Sequence, residues 1–487
     1  KQLALTMPKR STASSEPSPL PVPVCEALGL ASVRQLSELF HSECAALGGR
    51  KLHSHFEQWL WSARAGVSEE CAPVIPHPPA AEASTALRRK LVCAGMSEEA
   101  ALAATAALEQ RAKALAGRLA CARAAAGPQQ AASEVRLSGS GSGGTATLSC
   151  GGESVVCKRS HLEKLRALLR SGDAGDAAAA SGERLFERRA YCVLARVLAL
   201  QGGEPRAGGM QAAVGYRVFD ALARHHGAAF ELFASPLNAR FSSFCSAAPD
   251  VDRAFGSVGS FFSPSLDPLL ASGAFQANPP YDPPLVAAMG ERMHALLASA
   301  DARRDALTFI VIIPHWQDKP CWRALVQSCR CSAHLRLPQA EHGFFEGGQH
   351  YRPALWRAAN HDTSLFFLQS AAAPRPSEAS LAALRTAFRA APSALEPPIG
   401  GAELRPRLRP PSEAKGAKVR RRAEGGGAPV EAPLSAKRAA LLSRPMAELL
   451  AGTSGKQRRQ ARKRLKERKR KAMITDPNAK EKCVMSV

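Results

Sequence analysis

The feature that most constrains the fold of this chain is an uninterrupted apolar segment at residues 307–313, LTFIVII. Five of its seven residues are β-branched, which favours an extended backbone over a helix. A strand that is apolar at every position, rather than at alternate positions, must be covered on both faces. The segment therefore predicts a central strand of a sheet that has helices on both sides.

The segments around this strand alternate between strand-like and helical patterns. Strands are predicted at 229–233, 335–337 and 364–368, and helices at 218–225 and 285–299. Alternation of this kind predicts a doubly wound, Rossmann-like α/β sheet, whose ligands bind at the carboxyl ends of the strands. We place this domain at residues 201–375.

The preceding part of the chain has mainly helical patterns. Residues 25–200 predict a helical domain, because apolar residues recur at helical spacing over 31–63 and over the Ala-rich stretch 85–126. Within the second stretch, Ser97 is placed to cap a new helix. Short strand patterns around two consecutive glycines predict a hairpin near 145–157.

Basic residues are concentrated towards the C-terminal end of the sequence. The chain has 65 Lys and Arg against 42 Asp and Glu, and residues 401–487 hold 24 of the basic and 8 of the acidic ones. This surplus predicts a polyanionic partner, of which nucleic acid is the commonest. Residues 456–471 contain eleven basic residues and one acidic residue, which is typical of a nuclear localisation signal and predicts a nuclear protein. A nonspecific RNA-binding arm and a solvated basic helix are the alternatives.

Both ends of the chain are predicted to be disordered, and neither a membrane span nor a metal site is predicted. Residues 1–24 are rich in Ser and Pro, and residues 376–487 lose their apolar periodicity. No stretch of about 18 apolar residues occurs, so we expect no membrane-spanning helix. The 13 cysteines have no zinc-binding spacing and predict reduced thiols.

The tetrapeptide Asn278-Pro279-Pro280-Tyr281 is the strongest indication of chemistry. It follows a short strand pattern, so we expect it on a loop at the carboxyl end of a strand. The exocyclic amine of adenine is a weak nucleophile because its lone pair is delocalised into the ring. An Asn oxygen and a Pro carbonyl can each accept one N–H and direct that lone pair at a methyl group, and two prolines hold both acceptors in place. The tyrosine ring can stack on the base.

This tetrapeptide indicates the chemistry better than the substrate. It is shared by amino-methyltransferases that act on DNA, RNA or protein glutamine, and a proline-rich turn with an Asn cap is the alternative interpretation.

Two further motifs precede the tetrapeptide in the sequence. FASPLN (233–238) ends a strand pattern where a methyltransferase would hold S-adenosylmethionine, and CSAAPDVD (245–252) offers acids to a ribose hydroxyl. The predicted cofactor-binding residues are Phe233, Ala234, Ser235, Pro236, Asn238 and Asp250.

Six motifs in this order resemble the phosphorylated C-terminal-domain-interacting factor family. They are FASPLN, CSAAPDVD, FQANPPY, FIVIIPHW, AEH and GGQH, within residues 216–370, and a weaker collinear resemblance begins near residue 20. The resemblance implies a cap-specific mRNA methyltransferase. Such an enzyme transfers a methyl group from S-adenosylmethionine to the N(6) amine of the first transcribed 2′-O-methyladenosine, next to the 7-methylguanosine cap. It also implies that the tetrapeptide forms the target-adenosine site.

The same resemblance implies a capped-RNA site after the central strand. Trp316 suits this site, since an aromatic ring just past a strand end can stack on a positively charged purine; a core tryptophan is the alternative. The other residues expected there are Gln317, Asp318, Lys319, Pro320, Ala340, Glu341 and His342. Arg64 and Arg88 are predicted to contact the cap triphosphate, with solvated surface arginines as the alternative.

The sequence departs from the family pattern in three places. Tyr281 stands where the family has Phe, which preserves a ring for stacking. The family's acid two residues further on is here Pro283, with Asp282 displaced by one position. Trp59 and Trp61 are two residues apart, rather than about twenty, so no WW domain is predicted and binding to the phosphorylated RNA polymerase II tail is not expected.

Two other functions remain open from the sequence. One is adenine N(6) methylation of other RNA or of DNA, and the other is a non-catalytic capped-RNA-binding protein that keeps the fold. The intact tetrapeptide favours an enzyme, because loss of its Asn or its aromatic residue would be the simplest route to inactivity.

Overall fold

The structure is a computed structural model that describes nine stretches of the chain. These are residues 22–48, 52–63, 74–75, 81–127, 134–139, 144–172, 179–204, 210–352 and 356–390. Arg64 and the predictions for residues 1–21 and 391–487, including the basic run 456–471, lie outside the described residues. In the stretches described, no helix has the length and apolar character needed to cross a membrane.

The first part of the chain forms a helical layer. Its helices are α1 (Pro23–Glu43), α2 (Leu52–Ser62), α3 (Ala81–Cys93), α4 (Glu98–Ala124), α5 (Arg159–Gly172) and α6 (Ala179–Leu200). Helix α1 packs against α4 and α6 through an apolar stripe at helical spacing that includes Leu30, Val33 and Leu36. Helix α4 begins as predicted, because the Ser97 hydroxyl oxygen accepts the backbone N–H of Ala100 at 3.2 Å.

A three-stranded antiparallel sheet lies between α4 and α5 in the sequence. Its strands are β1 (Arg136–Ser138), β2 (Thr145–Cys150) and β3 (Glu153–Lys158). Gly151 and Gly152 join β2 to β3 with φ values of 56° and 83°, a conformation that favours glycine. Alternate residues of β2 are buried in the core of the helical layer, which attaches this hairpin to the helices.

The second part of the chain is built around a mixed six-stranded sheet. This part of the chain contains the strands β4 (Glu231–Ala234), β5 (Phe244–Ser246), β6 (Gly273–Ala277), β7 (Leu307–Pro314), β8 (Cys331–Leu337), β9 (Gly343–Phe345), β10 (Trp356–Ala358) and β11 (Thr363–Gln369). Six of these form the sheet in the order β5-β4-β6-β7-β11-β8, and β9 pairs with β10. The strands β5, β4, β6 and β7 are parallel to one another, whereas β11 is antiparallel to both β7 and β8.

Helices cover both faces of this sheet. They are α7 (Tyr216–His226), α9 (Pro283–Arg303), α10 (Pro320–Val326) and α11 (Glu378–Arg389). The short helix α8 (Pro249–Asp252) follows β5, and its Val251 packs in the core of the helical layer. Every residue of β7 is buried, as the sequence predicts: Ile310 and Ile312 pack in the core with α7 and α11, whereas Phe309 and Val311 pack with α9 and α10.

The direction in which successive strands are added to the sheet reverses between β4 and β6. After β4 the chain moves outward to β5, and after β6 it moves the opposite way to β7. At such a point the loops after the two strands diverge and leave a crevice, where ligands of doubly wound sheets bind.

The predicted α/β class is confirmed as a mixed sheet with helices on both faces, next to a helical layer. Two predicted boundaries differ. Helix α11 packs on α7 beyond residue 375, because its Leu384 and Phe388 repeat at helical spacing after a Pro- and Ala-rich stretch that hid this pattern. Helix α1 begins at Pro23, just inside the segment predicted to be disordered.

Candidate active site

A cavity lies in the crevice at the carboxyl ends of β4, β5 and β6. Its walls come from the loops after these strands and from α2 and α6 of the helical layer. Predicted site residues in the wall are Phe233, Ala234, Ser235, Asn238, Asn278 and Pro280. The strand ends therefore bring together two motifs that are 40 residues apart in the sequence.

Five buried polar atoms in the wall of this cavity have no hydrogen-bond partner among the described residues. Two are donors, Trp61 Nε1 and Gln211 Nε2, and three are acceptors, Asp252 Oδ1, Gln276 Oε1 and Asn278 Oδ1. Each buried polar atom without a partner costs about 1–3 kcal/mol. Five of them in one cavity indicate a ligand that carries complementary donors and acceptors.

Asn278 is held so that its side-chain oxygen is available to a ligand. Its Nδ2 donates to the carbonyl oxygen of Ala212 at 2.5 Å. Because only the amide N–H can bond to a carbonyl oxygen, this contact fixes the side-chain orientation and leaves Oδ1 as the orphan acceptor of the cavity wall. The backbone N–H of Tyr281 donates to Met210 O at 3.0 Å, so the same neighbouring segment holds both ends of the tetrapeptide.

The loop after β4 is shaped by its own side chains. Asn238 Oδ1 accepts the backbone N–H of Ser235 at 2.7 Å and its hydroxyl at 3.1 Å, which closes the turn that contains Pro236. Pro236 lies in this turn and not in the cavity wall, and its contact with a cofactor stays a prediction.

Two buried charged groups hold the rest of this loop. Glu231 accepts the backbone N–H of Arg240 at 2.7 Å, and Lys164 of α5 donates to Leu237 O at 3.2 Å and Ala239 O at 2.6 Å. Burial raises the pKa of Glu231 to about 7 and lowers the pKa of Lys164 to about 7, and each group moderates the shift of the other by its charge.

The predicted ribose acid Asp250 is bound to an arginine of the helical layer, and its contact with a ribose stays a prediction. Its carboxylate accepts two hydrogen bonds from Arg196 of α6, at 3.0 and 2.9 Å, and it does not line the cavity. Asp252 lines the cavity instead, since residues two apart in a helical turn point about 200° away from each other. Burial raises the pKa of Asp252 to about 8, opposed by a hydrogen bond from Ser246.

Aromatic rings lie next to the tetrapeptide. The ring of Tyr281 meets Trp316 and Phe344 edge to face, with centroids 6.3 Å apart in both pairs. Trp316 is half-buried and packs against the core between the sheet and α9, so it combines a core contact with partial exposure. Burial raises the pKa of Tyr281 above its ordinary value, so its hydroxyl stays protonated.

Of the other residues predicted to bind capped RNA, some are accessible to solvent and some form bonds within the protein. Lys319 is half-buried and pairs with the exposed Asp318 at 2.6 Å, in a loop that also exposes Gln317 and Pro320. Ala340 is exposed in a short 3₁₀ turn. These residues are accessible, and their roles stay predictions.

Two other residues predicted to contact RNA form bonds within the protein, and their roles in RNA binding stay predictions. His342 is buried, and its ring nitrogens lie 2.8 Å from Pro338 O and 2.8 Å from Thr363 Oγ1. Glu341 forms an ion pair with Arg389 of α11 at 2.6 Å.

The structure places Lys90, rather than the predicted Arg88, towards the tetrapeptide. Arg88 lies 4.0 Å from Glu98, within the helical layer. Lys90 is two residues further along α3, on another side of the helix, and its charge interacts with those of Asp282 and Lys319. Burial lowers the pKa of Lys90.

Sequence reasoning missed four of the five residues that have an unpaired polar atom in the cavity wall. Asp252 and Gln276 lie inside two motifs that the sequence singled out, CSAAPDVD and FQANPPY, but neither was among the predicted site residues. Trp61 and Gln211 stand in patterns that predict a helix or a loop without any polar signature. Among the described residues, no cluster of three His, Cys, Asp or Glu side chains could hold a metal ion.

Comparison with known proteins relates this site to a family of enzymes. Residues 164–347 match the family model described as "Phosphorylated CTD interacting factor 1 WW domain". A human and a mouse protein, each named mRNA (2'-O-methyladenosine-N(6)-)-methyltransferase, are both 38% identical to this chain over 227 residues. The alignment spans 45% of this chain and 30% of the length of each relative.

The family description overturns the prediction that the chain contains no WW domain. That prediction used the spacing of Trp59 and Trp61, which lie in α2, outside the matched residues 164–347. The spacing of these tryptophans therefore gave no information about the matched region, and the inference drawn from it about the polymerase tail is withdrawn. Over residues 164–347 the resemblance of this chain to the phosphorylated C-terminal-domain-interacting factor family, predicted from its six ordered motifs, is confirmed.

Proposed function

We propose that this chain is a cap-specific mRNA methyltransferase. It transfers a methyl group from S-adenosylmethionine to the exocyclic N(6) amine of the first transcribed 2′-O-methyladenosine, next to the 7-methylguanosine cap. The observation that carries this proposal is the orphan Asn278 Oδ1 in a cavity whose wall contains four more unpaired polar atoms. The names of the human and mouse relatives support the same reaction.

The sheet topology supports a Rossmann-like methyltransferase fold. The cavity lies between β4 and β6, where the direction in which successive strands are added to the sheet reverses. This is the ligand position in doubly wound sheets. The antiparallel β11 is inserted between β7 and β8 and leaves the carboxyl ends of the parallel strands free for ligands.

The cavity suits S-adenosylmethionine, because its orphan acceptors and donors match the hydroxyl, amine and carboxylate groups of that molecule. Bound there, the cofactor would supply an electrophilic methyl group. Asp252 Oδ1 would accept a hydrogen bond from a ribose hydroxyl, and the loop from Phe233 to Asn238 would line its binding site. Trp61 Nε1 and Gln211 Nε2 would donate to its acceptor atoms.

Asn278 and Pro279 would orient the target amine. Asn278 Oδ1 accepts one N–H of the amine and the Pro279 carbonyl accepts the other, so that the nitrogen lone pair is directed at the methyl group. The acceptors need no rearrangement, since Asn278 is already fixed on Ala212 O and Pro280 restricts the following backbone. The ring of Tyr281 would stack on the adenine.

Capped mRNA is the partner that this site would bind. Trp316 would stack on the 7-methylguanine, whose positive charge favours an aromatic ring. Lys90 and Lys319 carry positive charge close to the tetrapeptide and would attract the cap triphosphate. The basic run 456–471 would direct the protein to the nucleus.

The test compares methyl transfer to matched RNAs. Full-length protein and labelled S-adenosylmethionine are incubated with capped RNA that begins with 2′-O-methyladenosine, with the same RNA uncapped, and with a capped RNA that begins with guanosine. We expect N(6),2′-O-dimethyladenosine in the first RNA and no methyl transfer to the other two. The Asn278→Ala variant should lose about 10²–10³-fold in rate, as enzymes do when they lose one transition-state hydrogen bond, and should still bind S-adenosylhomocysteine.

Two outcomes would replace the proposal. Equal methylation of capped and uncapped RNA would favour an adenine methyltransferase with a broader substrate range. Tight binding of capped RNA without any methyl transfer would favour a non-catalytic capped-RNA-binding protein.

A further inference from the structure

Asp282, which follows the tetrapeptide directly, has a fully buried carboxylate with three hydrogen bonds. Its Oδ2 accepts the backbone N–H of Leu285 at 3.1 Å and caps α9. Its Oδ1 accepts the hydroxyl of Ser62 at 2.6 Å and the side-chain amide of Gln58 at 3.3 Å, and both of these residues belong to α2. One carboxylate therefore joins the start of α9 to the helical layer.

The contact continues from α2 into α3. Lys90 donates a hydrogen bond to Gln58 Oε1, so Gln58 accepts from a cation on one side and donates to Asp282 on the other. Burial raises the pKa of Asp282, whereas its hydrogen bonds to Ser62, Leu285 and Gln58, together with the charge of Lys90, lower it. The arrangement is a polar chain across three elements, which is fully buried at Asp282 and half-buried at Gln58 and Lys90.

A helix cap needs only one of the two carboxylate oxygens. Serine and asparagine cap helices as well as aspartate does. The second oxygen of Asp282 is used for Ser62 and Gln58, which lie more than 200 residues earlier in the sequence. Capping alone therefore does not account for a buried carboxylate at this position, because burial of a charged group is costly unless all of its oxygens are used.

This contact acts on a segment that is already close to the reacting atoms. The backbone N–H of Asp282 donates to Pro280 O at 2.7 Å, so the side chain of Asp282 is attached to a tight turn within the tetrapeptide. On the side of the helical layer, Ser62 directly follows Trp61, whose ring lines the cavity. A shift at the Asp282–Ser62 contact would therefore move both the tetrapeptide and the cavity wall.

We propose that Asp282 is a positioning residue for methyl transfer, which holds the tetrapeptide against α2 through Ser62 and Gln58. The proposal rests on the function proposed above. In this arrangement the helical layer sets the distance between the target amine and the methyl group, and a displacement of about 1 Å can cost about 10²-fold in rate.

Two variants separate positioning from capping. Asp282→Ser keeps a good cap for α9 and removes the second oxygen, and Ser62→Ala removes the partner on α2 and leaves Asp282 in place. For both we expect kcat on capped RNA to fall about 10- to 100-fold. The KM values for RNA and for S-adenosylmethionine should change less than about 3-fold, because the binding groups remain.

A matched control and a double variant complete the design. Ser97→Ala removes the cap of α4, which does not reach the cavity, and should leave kcat unchanged. In the Asp282→Ser background, Ser62→Ala should have little further effect, because the contact is already lost. Additive losses, or a kcat that follows melting temperature across all variants, would overturn the proposal in favour of a structural cap.

Hydrogen exchange tests the proposal independently of activity. In the folded Ser62→Ala variant, amides in residues 278–286 should exchange at least about tenfold faster than in wild type, while those of β7 stay protected. Unchanged exchange in 278–286 would refute the positioning role even if the wild type methylates capped RNA. A wild type that does not methylate, together with faster exchange in the variant, would refute the proposed function alone.

Discussion

The helical layer and the edge of the central sheet contribute to the candidate site in different ways. The sheet edge supplies contiguous motifs, whereas the helical layer supplies single polar side chains that are distant in the sequence. Lys164 of α5 holds the loop after β4, Arg196 of α6 holds the loop after β5, and Ser62 of α2 holds the loop after β6. Each cavity loop thus has its own attachment to the helical layer.

This difference shows how a doubly wound sheet can keep short loops in a fixed geometry. Loops after parallel strands have few neighbours of their own, so another layer must supply the hydrogen bonds that hold them. Each of the three attachments contains at least one charged side chain, and removal of one member leaves its partner uncompensated. The comparison predicts that variants in the helical layer act on stability or geometry, and that variants at the sheet edge act on ligands.

Removal of the Arg196 guanidinium should have the largest effect on stability. Arg196 is fully buried and bonds to Glu26 of α1 at 2.6 Å and to Asp250 at 2.9 Å, so Arg196→Met would remove the buried cation that these two acids share. We expect a loss of about 3–5 kcal/mol in the free energy of unfolding, measured in urea.

The control for Arg196 is an exposed ion pair in the same layer. Arg88→Met removes the contact with Glu98 and should cost about 0–1 kcal/mol. A loss below about 1 kcal/mol for Arg196→Met would mean that the layer does not hold the loop after β5 through this residue.

Trp316→Ala should have the next largest effect, and it should act on the ligand. If the ring stacks on the cap base, its loss costs about 1–3 kcal/mol, or roughly 5- to 150-fold in affinity for capped RNA. Uncapped RNA of the same sequence should bind with nearly unchanged affinity.

Trp322, six residues further on, is the matched control. It is almost fully buried, and its Nε1 donates to Ser364 Oγ at 2.9 Å, so Trp322→Ala should destabilise the fold by about 3–5 kcal/mol. Equal destabilisation by Trp316→Ala, with parallel losses for both RNAs, would make Trp316 a core residue.

The same contrast explains what the sequence could predict. The strand β7 was predictable because burial on both faces requires apolar residues at every position, and this is visible within seven residues. The tetrapeptide was predictable because its chemistry needs adjacent residues. The choice between Asp250 and Asp252 was not, since it depends on the rotation of one short helix.

The contributions of the helical layer were also beyond sequence reasoning. Ser62 and Lys164 stand in helical patterns, and no periodicity shows which polar residue of a helix will be buried against a distant loop. Glycines and prolines mark turns locally, whereas a contact such as Ser62 with Asp282 exists only after two separate parts of the chain have folded together.

A smaller effect should appear as pH dependence where the two regions meet. His161 of α5 and His350 of the GGQH motif lie with ring centroids 6.4 Å apart, and burial lowers the pKa of each to about 3. The charge of Lys158 lowers both pKa values further. The charge of Lys164 lowers the pKa of His161, and that of Arg352 lowers the pKa of His350. A hydrogen bond to Gln349 raises the pKa of His161.

The unfolded chain binds a proton on each of these histidines below about pH 6.5, whereas the folded protein does not, so stability falls as the pH falls from about 6.5 towards 3. Between pH 7.5 and 5.5 each histidine should account for about 1 kcal/mol. The variant His350→Gln lacks one of these histidines. Between pH 7.5 and pH 5.5 its free energy of unfolding should therefore rise relative to that of the wild type by about 1 kcal/mol. A difference that is constant with pH would show that the rings are accessible to water.

The smallest effect is expected for the hydroxyl of Tyr281. The family resemblance places Phe at this position, and the ring contacts of Tyr281 with Trp316 and Phe344 do not involve the hydroxyl. Tyr281→Phe should therefore change kcat on capped RNA by less than about 3-fold. Tyr281→Ala should lose roughly 5- to 150-fold, because it removes a stacking surface worth about 1–3 kcal/mol per base. This pair of variants also tests the comparison between the two regions. If Tyr281→Phe loses as much activity as Tyr281→Ala, the sheet edge would, like the helical layer, act through a polar group rather than through a ring.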